Sequence, residues 1–311
     1  MTETANTPTA AAMMDRLERN SGRHPGYRRL QARGICCQGV FTPSNEAAEY
    51  TTAAHLQGGP VPVTVRFSAG ETDPAVPDTA RVIRSLAVRF HLPQQDNTDL
   101  LAVSLPVFLA PTAEDFYEML DAVRLDPVTG GLDPARVGAY IGKHPQTAAA
   151  FGAIDTAPPA SYATLGYSAL HAYIWVNKDG LRQPVRYTWD PDEKITRLSD
   201  EELADRGPHY LTEEIHDRLS RGTAAFSLRV QLAAEGDPTH DSTIAWPDHR
   251  KMIVAGRLEL TSVVDDPDSR DAYAFDPTRL TSGIELSDDS LLHYRKTAYA
   301  ESHRRRATEG R

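Results

Sequence analysis

The sequence predicts an α+β fold: a closed antiparallel β-barrel with helices packed around it, in one domain. Three observations point that way. Several stretches alternate apolar and polar residues with period two. Two of them flank a tight-turn signal. Helical patterns are fewer, and they fall between or after the strand-like stretches.

Taken in order, residues 1–22 are polar, small and weakly patterned, which predicts a flexible arm, loose or partly helical. The single domain then spans 23–311, beginning near "HPGYRRL". "ICCQGVF" reads as a strand in which Cys36 and Cys37 face opposite ways. These are the chain's 2 cysteines, so a disulfide framework is excluded and small buried hydrophobes are expected. "VPVTVRFS" sets Val61, Val63, Val65 and Phe67 against Thr64, Arg66 and Ser68. "SLAVRFHL" and "LLAVSLPVFLA" are more uniformly apolar, as strands covered on both faces should be. "HAYIWVN" and "QPVRYTW" flank "KDG", a hairpin signal, and "AAFSLRVQLA" and "MIVAGRLELTSV" complete the strand set. Helices are expected over "TAEDFYEMLDAVRL", with a Thr112–Asp115 capping box, and over the exposed "LSDEELADR" and "LTEEIHDRLSR". The last helix, in "LSDDSLLHYRKTAYAESHRRR", is expected to start from a Ser287 cap and to end on a basic cluster that suits its dipole.

Composition narrows the function. With 311 residues, 40% hydrophobic and 24% charged, the chain is ordinary globular protein. A net charge of −10 argues against a nucleic-acid partner. No apolar run is long enough for a membrane span, and the N-terminus lacks a basic region before its short apolar patch, so a cytoplasmic location is expected. No HExxH, phosphate-binding loop or dinucleotide fingerprint is present.

One face of the last helix carries Arg295, Tyr299, His303 and Arg306, spaced four, four and three. A guanidinium one turn from a phenol favours the phenolate, and a phenolate can ligate ferric haem. Arg306 has the planar fork that suits a propionate. Read alone, this face fits an amphipathic surface equally well.

Several stretches read together change that balance. In order they are "HPGYRRLQARGICCQGVF", "VPVTVRFSAG", "DTARVIRSLAVRF", "NTDLLAVSLPVFLAPTAEDF", "HAYIWVNKDG" and "FDPTRLTSGIELSDDSLLHYRKTAYAESHRRR". This series, over roughly residues 22–306, resembles the catalase superfamily of haem proteins, and within it the small catalase-related branch. The resemblance implies haem b buried beside the barrel, Tyr299 as the iron ligand and Arg295 as its charge partner. It implies Arg28, Arg66 and Arg306 at the propionates, with His303 a further candidate there. It also implies Phe108 and Phe116 near the distal pocket, and Ser68 hydrogen-bonded to the distal base. A homodimer or larger assembly is the family's habit.

The sequence departs from the family where the chemistry occurs. Gln31 stands where the distal histidine would, and Val103 where the distal asparagine would; a shift of one residue would offer Ser104 instead. Ser85 stands where a glycine is usual. A carboxamide orients a ligand but cannot shuttle a proton, and a positioned base is typically worth roughly a hundred- to ten-thousand-fold. The expectation is a haem enzyme acting on an organic substrate that brings its own proton donor: an organic hydroperoxide, a hydroxylamine or an oxime. It would carry out peroxide-dependent oxidation, or rearrangement or dehydration at an O–O or N–O bond. The alternatives are a residual catalase or peroxidase acting on hydrogen peroxide, with His24 or His55 as substitute base, and a non-enzymatic haem-binding protein. A haem-free barrel would leave Tyr299 on ordinary surface. His144, His209, His216, His240 and His249 read as solvated, whereas His171 lies in a strand pattern and reads as packed or hydrogen-bonded.

Overall fold

A computed structural model describes residues 7–92, 97–126, 129–152, 154–264 and 273–309. Its strands are β1 Gly34–Pro43, β2 Val61–Ala69, β3 Arg84–Phe90, β4 Thr98–Val103, β5 Tyr167–Val176, β6 Arg182–Pro191, β7 Ala224–Leu232, β8 Met252–Val263 and β9 Ile284–Leu286. They form one antiparallel sheet in the order β4-β3-β2-β1-β8-β7-β6-β5-β9. Val103 of β4 pairs with Ser168 of β5, which closes β1 to β8 into a barrel and leaves β9 on the outside of β5. Closure removes the exposed edges that an open sheet would present.

The period-two pattern becomes the barrel wall. Val61, Val63, Val65 and Phe67 of β2 point inward and join Phe41, Phe90, Trp175, Trp189 and Phe226 in one continuous core. Cys37 lies in that core, while Cys36 is buried on the outer face; neither is in a disulfide, and burial pushes the Cys37 thiol up. The expected hairpin forms between β5 and β6. Asn177 closes it by accepting from the backbone N–H groups of Asp179 at 3.0 Å and Leu181 at 2.9 Å.

The helices are α1 Ala10–Ser21, α2 Ala113–Ala122, α3 Pro134–Lys143, α4 Pro145–Gly152, α5 Asp200–Ala204, α6 Tyr210–Arg221 and, last, α7 Ser290–Glu309. Four details differ from the sequence expectation. Residues 10–21 are not a loose arm: Met13, Met14 and Leu17 give α1 a buried face, packed with Leu120 of α2 and Tyr294 and Ala298 of α7. α6 is not simply exposed, because Tyr210, Leu211, Ile215 and Leu219 pack into the core. The helices α3 and α4 were not anticipated, although Asp133 followed by Pro134 is a proper helix start. Finally, α7 is capped by Asp289 rather than Ser287. The Asp289 carboxylate accepts from the backbone N–H of Leu291 at 2.9 Å and of Leu292 at 3.1 Å. At α2, Thr112 does cap, accepting from Asp115 N at 3.1 Å. Among the described residues no helix is long and apolar enough to cross a membrane.

Candidate cofactor and active site

The outer face of β1 to β4 forms one wall of the site. Residues directly opposite in an antiparallel ladder share a face. One rung runs Gly34, Ser68, Ser85, Val103, and reaches Ser168 across the closure. The next runs Cys36, Arg66, Ala87, Leu101. This register separates Val103 from Ser104. Val103 shares the face of Ser85, whereas Ser104 is held to the backbone of Arg84, its hydroxyl accepting from Arg84 N at 2.9 Å.

Gln31 stands at the edge of this wall with φ of 59°, the left-handed conformation that non-glycine residues rarely adopt. Its carbonyl accepts from Arg66 Nη2 at 3.0 Å, and the next residue, Ala32, donates its N–H to the Glu71 carbonyl at 2.9 Å. Gly34 makes the approach of Arg66 possible: a Cβ there would lie 2.6 Å from Arg66 Cζ. The Gln31 carboxamide crosses to β3, where Nε2 donates to Ser85 Oγ at 2.8 Å. The expectation that Ser68 would hold the residue at this position is therefore corrected. The turn at Gln31 carries its side chain past β2, so the hydroxyl it meets is that of Ser85.

On α7, Arg295 Nη2 donates to the Tyr299 hydroxyl at 2.6 Å. Burial works against the Arg295 charge, but Tyr299, Tyr173 and Asp289 together outweigh it and the guanidinium is raised above its usual value. Two residues stand behind this pair: His171, read from the sequence as packed or hydrogen-bonded, and Asp289, which the sequence did not single out. His171 of β5 meets the Asp289 carboxylate through Nδ1 at 2.7 Å, both fully buried. Burial, opposed by Asp289, lowers the imidazole below its usual value, so it stays neutral; the nearby Arg295 acts in the same direction. His171 Nε2 has no hydrogen-bond partner among the described residues. The signal in the sequence was a lone histidine in an apolar strand, which does not say what it faces.

The other candidates gather around these two groups. His303 Nδ1 lies 3.0 Å from Arg306 Nη2, and burial together with Arg306 and Arg28 holds it below its usual value. Arg28 donates to the Tyr273 carbonyl at 2.7 Å. The backbone N–H of Arg29 donates to Ser302 Oγ at 3.2 Å, tying the 28–33 segment to α7. Phe108 and Phe116 pack with ring centroids 5.5 Å apart, in a cluster that includes Val103. Phe108 also reaches His171, at 6.5 Å between centroids. The two substitute bases lie elsewhere. His55 is inside the barrel against Phe90, with burial lowering it to about 3, and His24 is bound to the Ser21 carbonyl.

A catalase family model matches residues 10–310. The chain belongs to the catalase family. It is 35% identical over 303 residues to a catalase-related peroxidase of Mycolicibacterium paratuberculosis, covering 95% of this chain and 93% of that one. It is 33% identical to a catalase-related peroxidase of Synechococcus elongatus, covering 96% and 88%. Against catalase-1 of Arabidopsis thaliana the identity is 30%, with 89% of this chain covering 59% of the longer one. A solved fungal catalase superposes with a TM-score of 0.79 at 23% identity, over 91% of this chain and 60% of that one, which bears out the barrel fold.

The family is one of haem-dependent oxidoreductases, and the residues present fit that cofactor. A phenol is held by a guanidinium on one helix. The cations Arg28 and Arg306 cluster with His303 where a dianionic group could be taken up. The Phe108–Phe116 pair supplies an apolar wall.

Proposed function

We propose that the protein binds haem b and acts on an organic substrate at an O–O or N–O bond, with little capacity for peroxide dismutation. One observation carries this reading: Gln31, a carboxamide held by Ser85, occupies the wall in which the neighbouring side chains are Ser68 and Val103. None of these groups can take up a proton and return it near neutral pH.

In this reading Tyr299 is the iron ligand and Arg295 holds its oxygen by donating to it. Arg28, Arg66, His303 and Arg306 hold the propionates. Phe108, Phe116 and Val103 give the pocket apolar walls and exclude water. Bound haem would supply a ferric iron able to act as Lewis acid or redox centre. Gln31 orients the substrate, and the proton that dismutation would draw from a distal base comes instead from the substrate, such as an organic hydroperoxide, hydroxylamine or oxime. Peroxide-dependent oxidation and rearrangement or dehydration both fit this arrangement. We further propose that the protein works in the cytoplasm as a homodimer or larger assembly.

A second reading, detoxification of hydrogen peroxide, is favoured by the name catalase-related peroxidase that two relatives share over nearly their whole length. Peroxide turnover by haem-loaded protein separates the two. We expect slow turnover in the wild type and a rise of roughly a hundred-fold or more in Gln31→His, which restores a base. Wild-type turnover at the pace of a catalase, abolished in Gln31→Ala, would carry the second reading instead. A chain that takes up no haem would sink both.

A further inference from the structure

Arg29 and Gln31 lie two positions apart in one loop segment, and they are fastened to different sides of the site. At Arg29 the chain is held to the helices. Its backbone N–H donates to Ser302 Oγ of α7 at 3.2 Å. Its guanidinium bonds Glu18 of α1 and Glu309 of α7, and donates to the Tyr27 carbonyl at 2.9 Å. Both acids have a second cation: Arg305 of α7 donates to Glu18 at 3.0 Å, and Arg23 donates to Glu309 at 2.8 Å. Arg29 is 3% exposed, so solvent screens its charge pairs little. At Gln31 the chain is held to the barrel instead. Its carboxamide lies 2.8 Å from Ser85 Oγ of β3, and its carbonyl accepts from Arg66 of β2 at 3.0 Å.

A span of two residues reaches at most about 7 Å when fully extended. Gln31 is in the left-handed region, so this span is shorter than that limit. The helix α7 and the barrel wall therefore cannot draw apart here without breaking a bond at one end of the strut. Ser302, where the strut is tied, is three positions after Tyr299. We propose that Arg29 is a positioning residue: by fastening the 29–31 strut to α7, it sets how far Gln31 stands from the iron that Tyr299 holds. An arginine suits the task, because its planar fork joins carboxylates from two helices at once. This rests on the function proposed above and adds to it a residue that acts only through Gln31.

The test is an azide titration of the ferric holoprotein, read in the Soret band, since azide takes the iron position that Gln31 faces in this reading. Gln31→Leu should change azide affinity by about fivefold, the size of one net hydrogen bond. Arg29→Met should change it in the same direction by a similar factor, while the azide-free Soret band stays at the wild-type position. Arg29→Lys, which keeps the charge but not the fork, should recover part of the affinity. The double variant Arg29→Met/Gln31→Leu should bind azide as Gln31→Leu does, because one residue acts through the other. If Arg29→Met does not fold, Ser302→Ala takes its place: it removes only the contact to the Arg29 N–H and should shift the affinity the same way by a smaller factor. Wild-type azide affinity in the Arg29 and Ser302 variants, beside a shifted Gln31→Leu, would overturn the positioning role and leave the function standing. Additive effects in the double variant would overturn it too. A Gln31→Leu variant that binds azide as the wild type does would overturn this inference and the ligand-facing role of Gln31, with the haem reading intact. A wild type with no Soret band would overturn the function and this inference together.

Discussion

The two faces of β2 are built from alternate residues of one strand, and both are buried. Inward, Val61, Val63, Val65 and Phe67 join one apolar core, with Phe67 stacked on Tyr162 at 5.0 Å and 12°. Outward, Thr64, Arg66 and Ser68 are as deeply buried, but two of the three have directed polar partners. Thr64 bonds His91 at 2.8 Å, and Arg66 bonds the carbonyl of Gln31. Burial therefore does not separate the packing face from the chemical one. The manner of satisfaction does: dispersion and area inside, directed hydrogen bonds outside.

The largest effect that would test this division is at Tyr299. Tyr299→Phe removes the hydroxyl that Arg295 holds and should abolish the ferric tyrosinate spectrum while leaving thermal unfolding close to wild type. A mutant spectrum identical to wild type would break the comparison on its chemical side. Next comes Phe67→Ala. It empties a fully buried position inside the barrel and should cost about 3–5 kcal/mol in denaturant unfolding. The folded fraction should nonetheless keep the wild-type haem spectrum. A changed spectrum would mean that the inner face tunes the outer one.

A smaller effect is expected at His55, which lies in the barrel interior tilted against Phe90 at 4.4 Å between centroids. Burial lowers it to about 3, from an ordinary value of 6.5. The unfolded chain takes up a proton below about 6.5, while the folded chain does so only near 3. Stability is thus fully present above the first value and falls as pH drops between the two. The loss should be about 2 kcal/mol by pH 5. In His55→Leu the difference in unfolding free energy between pH 7 and pH 5 should shrink by that amount. An unchanged pH dependence would show that the imidazole is protonated inside the barrel.

Much of this was legible in sequence because it is local. Strand alternation, the Lys178-Asp179-Gly180 turn and the Thr112 cap each depend on residues a few positions apart. The helix face that joins Arg295 to Tyr299 is local for the same reason, since four residues make one turn. Less legible were pairs made by folding. His171 and Asp289 are 118 positions apart, and Gln31 and Ser85 are 54 apart. The α1 helix looked weakly patterned because its buried stripe is only Met13, Met14 and Leu17, and its partners lie in α2 and at the far end of the chain.

By itself, the sequence determined the barrel, its inward residues and the tyrosine–arginine pair. These follow from period, spacing and the chemistry of single side chains, all fixed by the chain order. Only the tertiary structure decided which serine meets Gln31, that Val103 rather than Ser104 shares that face, and what stands behind Arg295. Such choices are set by inter-strand register and barrel closure, and register depends on how distant strands pack rather than on any one of them.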